Sequence, residues 1–505
     1  MSNESNGNKK LGYSSQLALA VSLIAGAVGT GNIWRFPRVT AANGGGAFIV
    51  AWSIMLLLIC FTIMLGEHVM GRATRHGAPG AFRDFIGKKF TWMGTVVVIV
   101  MALIAAYYSA VIAWVAYYLG LSVTRGYYGA DRVALFDSVA YGNPITVLLF
   151  VAVLAFSAWV AYTGVKGIEK ANKFFLPALI ICIVIAAVRS LTLPGAATGL
   201  NYLFSFEFSD LLHYKVWLEG LTQAVWSAGP GWGLVITLAV FSKAKSDVSL
   251  TTMTQVFGDA AIALIAALAV IPAIFALSPS VTAAMDIVGM GNNGLTFIAM
   301  TQLFETMPGG YLIGIIFFLS LLFAAISSNI VHFIIVSLPV QEMGITKKQS
   351  VLGAFFVLLI LGLPSAWNVN FLSNQDWVAG QMMLVGALFS CFAIYKFGAK
   401  RVREQYLNNE YSGLRIGKWW EFSIKYLAPL TILIMFTWWS WQSISWDPQW
   451  WNPFAVFSLA TFVIQGALII LLAILFNNRV NKGIRQKYYE PGEEFPEVPD
   501  NEYSS

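Results

Sequence analysis

The length of its apolar runs constrains this chain more than any other feature. Twelve stretches, near 14–40, 46–70, 93–124, 144–163, 171–190, 216–242, 251–277, 309–339, 350–367, 377–397, 422–442 and 453–477, read as membrane spans. Each is close to or above the roughly 20 residues that carry a helix across a bilayer core about 30 Å thick. Inside that core no water satisfies backbone N–H and C=O groups, so the expected fold is an all-α integral membrane protein. Composition agrees: 58% of residues are hydrophobic and 11% charged, where an average soluble domain carries about a quarter charged residues. The net charge of +6 collects in the connections between spans, which points to membrane topology and away from nucleic acid. Cys60, Cys182 and Cys391 fall within apolar runs, so no extracellular disulfide framework is expected. The polar start MSNESNGNKK leads into the first span without a cleavage pattern after a short apolar core, so no cleaved signal peptide is expected.

Lysine and arginine set the orientation. Alternate segments carry Lys9 and Lys10, then Arg72, Arg75, Arg83, Lys88 and Lys89, then Lys166, Lys170 and Lys173. The same side later receives Lys243, Lys245, Lys347, Lys348, Lys400, Arg401, Arg403, Arg415, Lys418, Arg479, Lys482, Arg485 and Lys487. Opposite connections hold little beyond Arg125 and Arg132. Both termini are therefore expected on the cytoplasmic side of the cell (inner) membrane. Segment 278–308 contains GMGNNG at Gly289–Gly294 and is too interrupted for a span; it reads as a re-entrant or capping element. The acidic, proline-containing tail, about 488–505, reads as disordered.

Two spans are interrupted. The first contains AGAVGTGNIWRFP at Ala25–Pro37, with three glycines among its first seven residues and Asn32 and Arg35 beside them. Freed backbone and polar side chains at membrane depth are tolerated where they line a cavity or bind something. The sixth contains QAVWSAGPGWG at Gln223–Gly233, where Pro230 removes a backbone donor between glycines. Spans 1 and 6 open two five-span halves, about 12–190 and 216–398. An odd number of spans puts the halves in opposite orientations, and paired broken helices at matching positions mark a transporter's central site. Two extra helices follow, about 421–480.

GAVGTGNIWRFP followed by NGGGAF at Asn43–Phe48 closely resembles the neurotransmitter:sodium symporter family. EHVMGR at Glu67–Arg72, AYYSAVIAW at Ala106–Trp114, SAGPGWG at Ser227–Gly233, AAISSN at Ala324–Asn329 and DWVAG at Asp376–Gly380 match in the family's order. The short connection between spans 3 and 4 is similar to that of prokaryotic members. The resemblance implies a single transporter domain that imports an amino-acid-like substrate with sodium by alternating access. Its partners are then substrate, sodium ions and the lipid bilayer.

Half-helix ends meeting at mid-membrane offer N–H groups to a carboxylate and carbonyls to cations. By resemblance, the substrate carboxylate meets the amides near Thr30 and Gly31 and the hydroxyl of Tyr108. The amine meets carbonyls near Ala27, Trp226 and Ser227. Gly29 stands where the family's monoamine carriers have Asp, which implies that here the substrate supplies the carboxylate. The resemblance implies a first sodium site of the Ala27 carbonyl, Asn32, Ser227 and Asp259, the last aligned by counting back from Ile271 and Pro272, with Gly258 one residue away. Asp259 brings a negative charge that chloride-dependent relatives take from the anion, so chloride is not expected to be required, although Gln223 matches an anion-binding position. A second site is implied at the carbonyls near Ala25, Val28 and Ala324 with the hydroxyls of Ser327 and Ser328. Without the resemblance, that Ser-Ser pair reads as a packing or back-bonding feature. Ile104, Trp226, Gly229, Trp232, Ser328 and His332 form the implied pocket wall. Tryptophan at 232 is similar to the family's glycine transporters, so a small neutral amino acid is the first expectation. The alternative is an aromatic or polar amino-acid derivative.

Charges on either side of the site read as gates, Arg35 with Asp376 outside and Lys10 with Glu342 inside. Glu67, near the inner end of span 2, reads as support for the backbone freed in span 6. No Walker-type phosphate loop occurs, which argues against a primary pump. No nucleophile, His pair or metal cluster adjoins the break, which argues against an enzyme. An ion channel and a non-transporting amino-acid sensor are the competing functions.

Overall fold

The computed structural model describes residues 12–243, 245–485 and Phe495. Among these residues the secondary structure is helical, apart from an isolated antiparallel bridge between Tyr141 and Asn368. Ten helices are long and apolar enough to cross a membrane. They are Gly46–Thr74, Lys88–Thr124, Pro144–Thr163, Val165–Leu191, Val248–Leu277, Gly310–Glu342, Lys347–Trp367, Val369–Phe397, Trp419–Trp446 and Leu459–Gly483. A further crossing is a bent pair, Gln16–Ala27 with Gly31–Ala42, turned by 62° at its break. In the place of the sixth expected span stand two helices, Tyr214–Ala228 and Leu234–Ala239, each short by itself. Every expected span thus corresponds to a helix or a broken pair, numbered 1 to 12 in this order below.

Local chemistry sets several span starts. Asn143 accepts from the backbone N–H groups of Ile145 (2.9 Å) and Thr146 (3.3 Å), and Pro144 opens span 4, where a missing N–H costs nothing. Asp247 accepts from Leu250 N–H at 2.9 Å and caps span 7.

Packing between spans relies on small residues, because lipid tails are as apolar as the helices and close backbone approach supplies the attraction. At Gly71, in the EHVMGR stretch, a Cβ would lie 2.0 Å from the carbonyl oxygen of Ile236. Span 2 therefore touches the second half of span 6 backbone to backbone, and no other residue fits. Span 3 is central, with 78% of its most apolar window buried, whereas span 12, at 22%, is peripheral.

Segment 278–308 forms the helix Val281–Gly289 and a second helical run from Gly291 to Thr306. Arg38 donates to the Asn292 side-chain oxygen at 2.6 Å, which holds this segment over the second half of span 1 as a capping element. Lys10 and nearly all of the tail expected to be disordered lie outside the described residues. The exception, Phe495, stacks on Phe85 and Phe397 with ring centroids 5.6 and 5.9 Å away.

Candidate functional site

The helix from Gln16 stops at Ala27 because Val28 turns extended (φ −69, ψ 108). Its freed groups find specific partners. Gly29 N–H donates to the Asn32 side-chain oxygen (3.1 Å), and Thr30 N–H donates to the Tyr108 hydroxyl (3.0 Å). A π turn, Gly31–Arg35, then restarts the helix. A Cβ on Gly29 would sit 2.6 Å from the Tyr108 oxygen, whereas one on Gly31 would meet nothing within 4 Å. Gly29 is thus closed by Tyr108, and Gly31 opens onto free space.

The second break runs from Gly229 to Gly233, with Gly229, Gly231 and Gly233 all at positive φ. At Gly231 this conformation combines with crowding, since a Cβ would approach Ala387 N and Met383 O to 2.4 Å. Its N–H donates to Glu67 Oε1 (2.9 Å), which also accepts from the Ser390 hydroxyl (2.7 Å). One fully buried carboxylate therefore joins spans 2, 6 and 10 at the break, in the supporting role read from the sequence.

Behind the first break, Asn32, Ser227 and Asp259 converge. Asn32 Nδ2 donates to Asp259 Oδ1 (2.7 Å) and to Ser227 Oγ (3.0 Å), and Ser227 Oγ donates to Asp259 Oδ2 (2.5 Å). The choice of Asp259 over Gly258 has a structural basis. A Cβ on Gly258 would lie 2.5 Å from Ile24 Cδ1, so Gly258 packs span 7 on span 1 while its neighbour faces the cluster. The Asp259 carboxylate and the Ser227 hydroxyl bring oxygens together there, and Asn32 holds them through its amide N–H groups, a set suited to a hard cation.

The second cluster joins spans 1 and 8. Ser327 Oγ donates to Ala25 O (3.0 Å) and Ala324 O (2.8 Å), and Ser328 Oγ to Val28 O (2.8 Å). Besides back-bonding to Ala324 within span 8, these hydroxyls reach the carbonyls of the broken neighbour, again an all-oxygen set.

Between the breaks lies a cavity of about 290 Å³ whose wall includes Ala27, Gly29, Thr30, Gly31, Asn32, Ile104, Tyr108, Trp226, Trp232, Ser328 and His332. Two residues expected to contact substrate, Ser227 through its carbonyl and Gly229 as wall, are not on the cavity wall. Ser227 belongs to the cluster with Asp259, and Gly229 backs Trp232, whose ring a Cβ would meet at 3.2 Å. The cavity continues past Arg35 and Asp376 to Asn292, Asn293, Leu372, Ser373 and Phe457.

The expected outer gate pairing needs correction; of the inner one, Lys10 lies outside the described residues. Arg35 and Asp376 line one cavity but form no ion pair; Arg35 donates instead to the side-chain oxygen of Gln223. The neutral amide lies on the neighbouring face of span 6, nearer than the carboxylate on span 10. Glu342 accepts from Gly77 N–H at 2.6 Å, so it caps the helix Ala78–Ile86.

Other contributors escaped sequence reasoning. Gly380 makes room for Trp226, since a Cβ there would lie 2.3 Å from the indole; its place in DWVAG was the available signal. Phe457, between spans 11 and 12, carried none.

Comparison with known proteins agrees with this geometry. The model of the sodium:neurotransmitter symporter family matches residues 10–131 and 122–480. A sodium-dependent transporter of Methanocaldococcus jannaschii is 30% identical over 440 residues, 83% of this chain and 88% of that protein. A Bacillus subtilis sodium-dependent transporter, YhdH, is 26% identical over 450 residues, 85% and 97% of the two chains. The crystal structure of MhsT in complex with L-phenylalanine aligns with a TM-score of 0.74 and 27% identity, covering 85% of this chain and 99% of that one. The family model spans both broken helices and both oxygen clusters, and the chain belongs to the sodium:neurotransmitter symporter family, a multi-pass, sodium-dependent transporter of a small molecule.

Proposed function

We propose that this protein imports a small neutral amino acid or similar carboxylate together with two sodium ions. The observation that carries this reading is Gly29 beside the Thr30–Tyr108 hydrogen bond: the break offers N–H and hydroxyl donors and has no carboxylate of its own. A ligand carboxylate is the complementary group. MhsT, similar in fold, holds the amino acid L-phenylalanine in its crystal structure, which supports the same class. One sodium belongs with Asn32, Ser227, Asp259 and the Ala27 carbonyl, the other with Ser327, Ser328 and the carbonyls of Ala25, Val28 and Ala324. Asp259 supplies the negative charge at the first site, so chloride is not required.

In this reading, residues 12–190 and 216–398 are inverted repeats that rock against each other around the two breaks. Both termini face the cytoplasm across the cell membrane. Sodium holds the outward-open form, substrate binds, and release follows cytoplasmic opening.

Uptake into proteoliposomes tests the proposal. Saturable amino-acid uptake should follow an inward sodium gradient, vanish when potassium replaces sodium, and persist when gluconate replaces chloride. Large unitary currents would establish a channel instead, and sodium-dependent binding without uptake a sensor.

A further inference from the structure

We propose that the substrate's side chain ends in an uncharged hydrogen-bonding group, a hydroxyl or carboxamide, received by His332 and Trp232; this rests on the amino-acid reading above. His332 lies one helical turn beyond Ser328 on span 8 and is 2% exposed. Neither of its ring nitrogens has a hydrogen-bond partner, and the Trp232 indole nitrogen has none either. The two rings are 6.3 Å apart on the same cavity wall.

An imidazole always carries polar nitrogens to satisfy, and buried polar side chains in folded proteins overwhelmingly have partners. The bland explanation, a bond from His332 to a helix carbonyl, is not realised. Nor does Tyr108 satisfy it: its ring stands edge-on to His332 at 5.5 Å, while its hydroxyl is engaged by Thr30 N–H. That geometry also gives direction. A ligand whose carboxylate sits at the Tyr108 hydroxyl lays a short side chain along the phenol ring toward His332.

The group received there is uncharged, because a buried charge needs a counter-charge. The charged residues of the cavity wall are Arg35 and Asp376, which lie in its continuation beyond the break. Sites built around polar groups reject ligands that lack the matching group far more strongly than apolar pockets reject one methylene. His332 and Trp232 therefore select for the polar member of an isosteric pair.

Competition against labelled substrate in proteoliposomes, using threonine against valine and asparagine against leucine, reads this directly. Wild-type protein should favour the polar member of at least one pair by about tenfold or more. His332→Leu should bring that pair within about threefold, chiefly by improving the apolar member, and His332→Asn should retain the preference. Equal competition within both pairs in the wild type, or a preference that survives in His332→Leu, overturns the inference. If His332→Leu does not fold, the wild-type pairs decide alone. Absence of any sodium-dependent amino-acid uptake by the wild type refutes the proposed function instead, so the two failures are distinguishable.

Discussion

The backbone N–H of Thr30 donates to the hydroxyl of Tyr108 at 3.0 Å, tying span 3 to the break in span 1. The same hydroxyl lies where a Cβ of residue 29 would come within 2.6 Å. The placing of the Tyr108 hydroxyl and the absence of a side chain at 29 are thus one arrangement.

Tyr108→Phe is expected to weaken apparent substrate affinity by about tenfold or more, because a buried N–H loses its acceptor and the ligand loses a donor. Gly29→Asp should abolish uptake, since it sets a fixed carboxylate where the substrate's own belongs and displaces Tyr108. Initial-rate uptake of the labelled acid measures both. Unchanged transport in Gly29→Asp would remove the assignment.

Asp259→Asn tests the internal charge. Asp259 accepts from both Asn32 and Ser227, so an amide preserves shape while deleting the charge that favours a cation. Uptake should fall severalfold in gluconate and recover in part with added chloride. A variant indifferent to chloride and equal to wild type would refute the role.

Ser327→Ala removes a hydroxyl that bridges to Ala25 O and is absent from the central cavity wall. The sodium concentration for half-maximal uptake should rise about tenfold, the order expected for one lost buried oxygen contact. Preference among amino-acid side chains should not move.

Glu67→Ala leaves Gly231 N–H and the Ser390 hydroxyl without their shared acceptor. Leaving buried donors unpaired costs about 1–3 kcal/mol each, so the apparent melting temperature in detergent should fall clearly. Glu67→Gln keeps an acceptor oxygen and should lose less. Equal melting of the two variants would show that charge, not hydrogen bonding, matters at Glu67.

Reading the chain alone found the spans and both breaks, because bilayer length and helix-breaking residues are local signals, whereas most of the cavity wall came from the resemblance. Ala25–Pro37 carried its glycines, Asn32 and Arg35 in one stretch, and the Ser327–Ser328 pair was visible as hydroxyls in an apolar helix. Assignment at 258 and 259 was less determinate by sequence, since a one-residue shift rotates a helical side chain by about 100°. Packing resolves it: Gly258 is pressed on Ile24, and Asp259 turns to the cluster.

Pairing across spans was where sequence reasoning went astray. Arg35 and Asp376 are complementary in charge, yet Arg35 bonds Gln223. Phe457 enters the cavity from a connection with no helical period to announce it. The order of elements, the all-helical membrane fold and the two polar breaks were determined by the sequence itself, because lipid forces the backbone to satisfy its hydrogen bonds within each segment. Which side chains meet was decided only by the tertiary structure, because contacts between spans depend on helix rotation and on approaches of a few ångströms at residues such as Gly71 and Gly231, and these arise only when distant segments pack.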